Sequence, residues 1–260
     1  MKKKLYMGTN LKMYKNRKET SQYLRILSDD TQDISKDNLE LFVIPSYTSL
    51  PPLSNSKNSL SVTLGAQNMS WEEEGQFTGE ISVQMLEEVG LRLVMIGHSE
   101  RRHVFGETDI EENKKVLTAL RHGFTVLLCI GETKEQKNYG ISDEVLRTQI
   151  KIGLHNISPE NTSKIWVAYE PVWSIGVNGT PATEDYAEKM HQLIKNTLRD
   201  LFGSSADCIP VLYGGSVNPQ NAPLLISQPS IDGLFIGRSA WNAEQFSLLI
   251  HDIYKLYQNI

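Results

Sequence analysis

The chain has 260 residues, of which 40% are apolar and 22% charged, an ordinary balance for a soluble globular protein with one substantial core. Its formal net charge is −5, and no run of Lys and Arg forms the electrostatic footprint of a nucleic-acid binder. Any anionic ligand must therefore be held by local donors against an unfavourable overall field. The two cysteines, Cys129 and Cys208, lack metal-type spacing and suit two free thiols in a reducing compartment. Met1-Lys2-Lys3-Lys4 leads into only Leu5-Tyr6-Met7 before Gly8, too short for a secretory apolar region, and no later stretch has membrane-spanning length. The expectation is a cytoplasmic protein without membrane partner, bound metal or cofactor.

Short apolar runs recur along the chain, at Leu5–Gly8, Leu41–Ile44, Val62–Ala66, Leu93–Ile96, Thr125–Ile130, Ile165–Tyr169, Ile209–Tyr213 and Gly233–Ile236. Runs of this length rich in Val, Ile and Leu suit strands buried on both faces, as in a parallel sheet. Helix-period segments separate them. Val116, Leu117 and Leu120 share a face that ends at His122 and Gly123. Thr183 caps a segment with acidic Glu184 and Asp185 in its first turn, apolar Tyr186, Met190, Leu193, Ile194 and Leu198, and a stop at Gly203. Asn242 caps a last helix with the face Phe246, Leu249, Ile250, Ile253 and Leu256. The polar stretch Ser54–Ser61 is the longest loop-like segment, and nothing marks a domain boundary. Eight strand-then-helix units permit either a closed barrel or an open doubly wound sheet.

A closed barrel demands that chemistry sit just beyond the strand C-termini. Asn10 and Lys12 follow run one, Gln67 and Asn68 run three, His98 and Glu100 run four, and Gly131 and Glu132 run five. Glu170 follows run six, Gly214–Ser216 run seven, and Gly237 and Arg238 run eight. Pro171 biases Glu170 away from the α region, so its carboxylate leaves the strand in extended geometry, suited to removing a proton α to a carbonyl. An isolated strand-end Glu is usually a solvated group; polar residues at so many strand ends favour the general base. His98 has no second ligand at metal spacing and reads as a hydrogen-bond donor to a substrate oxygen. Lys12 offers a point charge, whereas Arg101 and Arg102 read as structural ion-pair formers. The Gly-rich turns after runs seven and eight lie where barrels bind phosphate through backbone N–H groups.

These residues carry a resemblance over the whole chain. Asn10-x-Lys12-Met13, Gly65-Ala66-Gln67-Asn68, Phe77-Thr78-Gly79-Glu80, Gly97-His98-Ser99-Glu100-Arg101-Arg102, Cys129-Ile130-Gly131-Glu132, Ala168-Tyr169-Glu170-Pro171-Val172-Trp173 and Tyr213-Gly214-Gly215-Ser216-Val217 resemble, in order, the motifs of the triosephosphate isomerase family. The resemblance implies a single (β/α)8 TIM barrel over residues 1–260 that interconverts dihydroxyacetone phosphate and glyceraldehyde 3-phosphate. Barrel closure rests on it. By the same resemblance Glu170 is the base and neutral His98 the electrophile, Lys12 and Asn10 stabilise substrate oxygens, and Glu100 supports Lys12. Gly176, Ser216 and Gly237 donate backbone N–H groups to phosphate, Pro171 to about Thr183 is a lid, and Thr78 reaches into a neighbouring subunit of a homodimer.

The chain departs from the family pattern at four places. Leu11 replaces the usual aromatic residue, and Tyr14 a small polar one. The lid tip Gly176-Val177-Asn178-Gly179-Thr180-Pro181 is one residue longer than usual, and Arg238 stands where a second glycine is usual. A side chain there alters the wall facing an anion, or else points to solvent. Gly8-Thr9, Ala66-Gln67-Asn68-Met69, Leu212–Pro219 and Gly237-Arg238-Ser239-Ala240-Trp241-Asn242 are similar to the family's branch acting on four-carbon ketose phosphates. Interconversion of L-erythrulose 1-phosphate and D-erythrulose 4-phosphate is therefore the alternative, with Arg238 added to the phosphate-binding set. A catalytically silent phosphosugar-binding barrel is the alternative of another class. An aldolase-type barrel would need a lysine within a strand core, and the runs hold none.

Overall fold

A computed structural model of the chain describes residues 4–50, 60–176 and 179–259. Most of the polar stretch 54–61, and positions 177 and 178 of the lid tip, lie outside the described residues. Eight parallel strands, β1 (Leu5–Asn10), β2 (Leu39–Ile44), β3 (Thr63–Ala66), β4 (Leu93–Ile96), β5 (Thr125–Ile130), β6 (Ile165–Tyr169), β7 (Val211–Tyr213) and β8 (Gly233–Ile236), follow one another around a closed barrel. Closure is made by β1, which pairs β2 on one side and β8 on the other, so the open-sheet alternative is excluded. Outside lie α1 (Arg17–Asp30), α2 (Val83–Glu88), α3 (Ser99–His103), α4 (Asp109–Arg121), α5 (Lys134–Asn138), α6 (Ser142–Gly153), α7 (Glu184–Phe202), α8 (Ala222–Ile226) and α9 (Ala243–Tyr257).

The side-chain alternation of a strand divides the core into two layers. Leu41 and Val43 face the helices while Phe42 and Ile44 face the barrel axis; Val126 and Leu128 face out while Leu127 and Cys129 face in. The interior is filled rather than hollow: Phe42, Leu93, Met95, Leu127, Trp166 and Phe235 pack together there. Gly8 makes this possible, because a Cβ at that position would sit 2.2 Å from the Phe42 ring.

The strand edges differ from the apolar runs in instructive ways. β1 runs on to Asn10, since the pairing of Asn10 with Ile44 extends the ladder past the apolar residues. β7 starts at Val211, two residues later than Ile209. Pro210 has no N–H to donate, and the Val211 N–H goes to the Asp232 carboxylate at 2.8 Å. The predicted caps are in place: Thr183 accepts from the Tyr186 N–H, Asn242 from the Gln245 N–H, and α4 ends at His122. Arg101 and Arg102 are ion-pair formers, Arg101 on Glu107 at 2.6 Å and Arg102 on Asp109 and Glu112.

His191 of α7 is fully buried against the rings of Tyr169 and Tyr213. Burial pushes its pKa down to about 4 from 6.5, outweighing the Asp232 charge. A depressed histidine pKa means that the unfolded chain binds the proton first. The stability is present above pH ~6.5 and is lost as pH falls toward 4, about 2 kcal/mol between pH 7 and 5. Urea midpoints at the two pH values should therefore draw together in His191→Gln relative to wild type.

Candidate active site

The alternation that fills the barrel also delivers the site. In β1 the inward line runs through Gly8 and Asn10, and beyond the strand it brings Lys12 to the mouth. In β6 it passes Trp166 and Ala168 and arrives at Glu170, just past the strand end. The Glu170 N–H still donates to the Ile130 carbonyl at 2.7 Å, holding its backbone in ladder geometry. A Cβ on Gly131 would lie 1.9 Å from the Glu170 carbonyl oxygen, so only glycine admits this approach of β5 and β6.

Asn10, His98 and Glu170 are buried beneath the mouth, at 5%, 4% and 4% exposure. His98 Nε2 stands 3.7 Å from Glu170 Oε1, and Glu170 Oε2 is buried without a hydrogen-bond partner among the described residues. His98 Nδ1 accepts the N–H of Glu100 at 3.2 Å. With Nδ1 accepting that bond, Nε2 is the ring nitrogen left to donate, and it faces Glu170. Lys12 holds a left-handed backbone, φ 52, with its N–H donating to Asn10 Oδ1 at 2.8 Å and its carbonyl taking Gln67 Nε2 at 2.7 Å. Its Nζ reaches Glu100 Oε1 at 2.7 Å. Partial burial alone would raise the Glu100 carboxyl pKa, but the Lys12 hydrogen bond and charge hold it below the usual range. Burial pushes the inward-facing Cys129 thiol well up, and the nearby Glu170 charge adds to the shift.

These groups open into a cavity of about 260 Å³ whose far wall is backbone: Gly214, Gly215 and Ser216 after β7, and Gly237 and Arg238 after β8. Gly176 and Gly179 border it from the segment after β6. The predicted residues Asn10, Lys12, His98, Glu170, Gly176, Ser216, Gly237 and Arg238 thus line one cavity, with Glu100 joined to it through Lys12. The Ser216 N–H already donates to Ser174 Oγ at 3.3 Å, so an incoming anion must displace that contact. Arg238 is exposed, and its side chain has no ion-pair partner among the described residues. Thr78 is exposed on the loop after β3. Among the described residues no cluster of His, Cys, Asp and Glu could hold a metal, and no helix is long and apolar enough to cross a membrane.

Two features escaped the sequence reading. Glu132, fully buried, accepts hydrogen bonds from Tyr169 Oη at 3.0 Å, Trp173 Nε1 at 2.8 Å and Tyr186 Oη at 2.8 Å. It thereby ties β6, the turn Val172–Ser174 and α7 to one carboxylate at the root of the 171–183 segment. The other is Trp241, which lines the cavity and donates its indole N–H to the Asn10 carbonyl at 3.0 Å.

Fold and site together define a (β/α)8 barrel whose polar cavity opens at the C-terminal ends of its strands. The sequence profile described as triosephosphate isomerase matches residues 5–253, and the chain belongs to the triosephosphate isomerase family and is an isomerase. It is 48% identical to an L-erythrulose-1-phosphate isomerase of Rhizobium etli, over 93% of this chain and 90% of that protein. It is 45% identical to the protein of the same name from Mesorhizobium japonicum, over 93% and 94%. With a triosephosphate isomerase of Aquifex aeolicus it shares 41% identity, over 94% and 98%.

Proposed function

We propose that this chain moves a carbonyl between adjacent carbons of a small sugar phosphate, and that its substrate is L-erythrulose 1-phosphate, converted to D-erythrulose 4-phosphate. The observation that carries the reaction is the facing pair of Glu170 and His98, a buried carboxylate oxygen and an imidazole Nε2 3.7 Å apart at one end of a backbone-walled cavity. Glu170 takes the proton from the carbon next to the carbonyl. The C–H electron pair becomes the C=C bond of an enediolate, and the carbonyl π pair moves onto oxygen, where the His98 N–H and the Lys12 ammonium stabilise it. Passage of the hydroxyl proton from one enediolate oxygen to the other, and return of the carbon-bound proton from Glu170 to the neighbouring carbon, complete the shift, so no electron acceptor or cofactor is needed. Asn10 orients the oxygens and Glu100 holds Lys12 in place. The backbone N–H groups of Gly176, Ser216 and Gly237, with the Arg238 guanidinium, bind the phosphate, and residues 171–183 close over it.

The four-carbon substrate is favoured by Arg238 and by the two relatives above that carry that name. The triose reading is favoured by the relative named for it and by a proton-transfer constellation that either substrate can use. The test is turnover of erythrulose and triose phosphates side by side, with uptake of solvent deuterium at the reacting carbon. Tight binding of either phosphate without exchange would instead describe a silent binding barrel. We also propose a cytoplasmic homodimer. Apolar Met13, Tyr14, Phe77, Val104 and Phe105 are left exposed on loops after β1, β3 and β4, and the two cysteines are free.

Lys12→Met should weaken a phosphorylated substrate analogue by about tenfold or more, and lower turnover as well, because a charge-assisted bond to a substrate oxygen is removed. Calorimetry checks it. Wild-type affinity in the variant would confine Lys12 to its ion pair with Glu100.

A further inference from the structure

β1 and β8 pair in parallel, Tyr6 opposite Gly233, Gly8 opposite Phe235 and Thr9 opposite Ile236. In such a ladder a residue donates to the residue before its partner and accepts from the residue after it. The Tyr6 N–H accordingly donates to the Asp232 carbonyl at 3.2 Å. Extended beyond Thr9, the register sets Asn10 opposite Gly237 and assigns the Asn10 carbonyl to the Arg238 N–H. That bond is absent among the described residues. β8 ends at Ile236, Gly237 turns with φ −83 and ψ −118, and Arg238–Ala240 form a 3-10 turn.

The Asn10 carbonyl takes the Trp241 indole N–H instead, at 3.0 Å. Trp241 also donates its backbone N–H to the Arg238 carbonyl at 3.1 Å, and Tyr14 packs on its ring at 4.5 Å between centroids. Tyr23 Oη fixes the same turn through the Ala240 carbonyl at 2.6 Å. The Arg238 N–H consequently has no acceptor among the described residues, in a turn that lines the cavity. A strand-end carbonyl left open would draw the nearest donor in register, and that donor is the Arg238 N–H.

We propose that Trp241 is a positioning residue for phosphate binding: its indole occupies the Asn10 carbonyl and so keeps the Arg238 backbone N–H free for the phosphate. This rests on the reading of the cavity as a phosphosugar site. The arrangement also joins the two ends of that site, because one residue binds both the Asn10 carbonyl, two residues before Lys12, and the turn that carries Arg238.

Trp241→Phe keeps an aromatic ring against Tyr14 and removes the donor together with part of the indole. It should weaken inorganic phosphate, measured by calorimetry on the full chain, by about three- to tenfold. The kcat/KM for the phosphorylated substrate should fall by a similar factor, and by more than kcat/KM for the same sugar without phosphate. Tyr14→Leu retains the donor and should retain phosphate affinity. Wild-type phosphate affinity in Trp241→Phe, or an equal loss on both substrates, would overturn the proposal. On the wild-type chain, hydrogen exchange of the Trp241 indole should be slowed relative to a free indole, and unhindered exchange overturns the proposal even if the variant fails to fold. A wild type that binds inorganic phosphate yet turns over no sugar phosphate removes the isomerase reading. The calorimetric comparison still decides the role of Trp241.

Discussion

Glu170→Gln should lower kcat by about 10² to 10⁴ and leave the affinity for a sugar-phosphate analogue within about threefold of wild type. The amide matches the carboxylate in shape, so it fits over Gly214, where a Cβ would come within 2.8 Å of Glu170 Cγ, but it cannot accept a proton from carbon. The loss should lie in kcat, because the proton is in flight only in the transition state. Rapid-mixing or steady-state assays with the accepted phosphate, and calorimetry with the analogue, separate the two quantities. A variant retaining more than about a tenth of wild-type kcat would place the base elsewhere. Another inward-facing ionisable side chain is Cys129 of β5, whose thiol pKa is pushed well up by burial and by the Glu170 charge. It is therefore a poor substitute base.

The path from sequence to this site was short where a local rule sufficed. Pro171 predicts the extended exit of Glu170 from its strand; the alternation seen in β6 then carries it after Trp166 and Ala168 onto the barrel axis. The helix caps at Thr183 and Asn242 need only neighbouring residues, and they are where the sequence places them. Barrel closure was not available from periodicity, because an open sheet has the same strand pattern; the pairing of β1 with β8 decides it. The gathering of three donors on Glu132 was equally out of reach. Tyr186 lies 54 residues from it along the chain, and nothing local marks a carboxylate that will be shared by a strand, a turn and a helix. The left-handed backbone of Lys12 breaks the local preference of a residue with a Cβ. It is held by Asn10 and Gln67, and the second of these lies just beyond β3. Trp241 was visible only as part of a motif, since its hydrogen bond answers a register that no single strand reveals.

The preference between three and four carbons turns on Arg238. In L-erythrulose 1-phosphate the additional carbon is attached at the end away from the phosphate, beyond the reacting pair. If Glu170 and His98 keep the reacting carbons in place, the fourth carbon must fit on the Lys12 side, or the chain must slide toward the phosphate wall by about one bond, ~1.5 Å. Arg238 stands on that wall, exposed and without an ion-pair partner among the described residues, where glycine is usual in the family. A guanidinium there can follow a displaced phosphate that fixed backbone N–H groups would hold less well. Such a charge-assisted contact contributes roughly 1.5–3 kcal/mol, or about ten- to a hundredfold in kcat/KM. The wild-type chain should therefore turn over an erythrulose phosphate. Arg238→Gly should shift the kcat/KM ratio toward glyceraldehyde 3-phosphate by about tenfold or more, chiefly through a higher KM for the four-carbon substrate. Measured with both phosphates on both proteins, efficient triose turnover with no four-carbon activity, unchanged by Arg238→Gly, would reject the four-carbon assignment. It would leave Arg238 as a surface residue beside a three-carbon site.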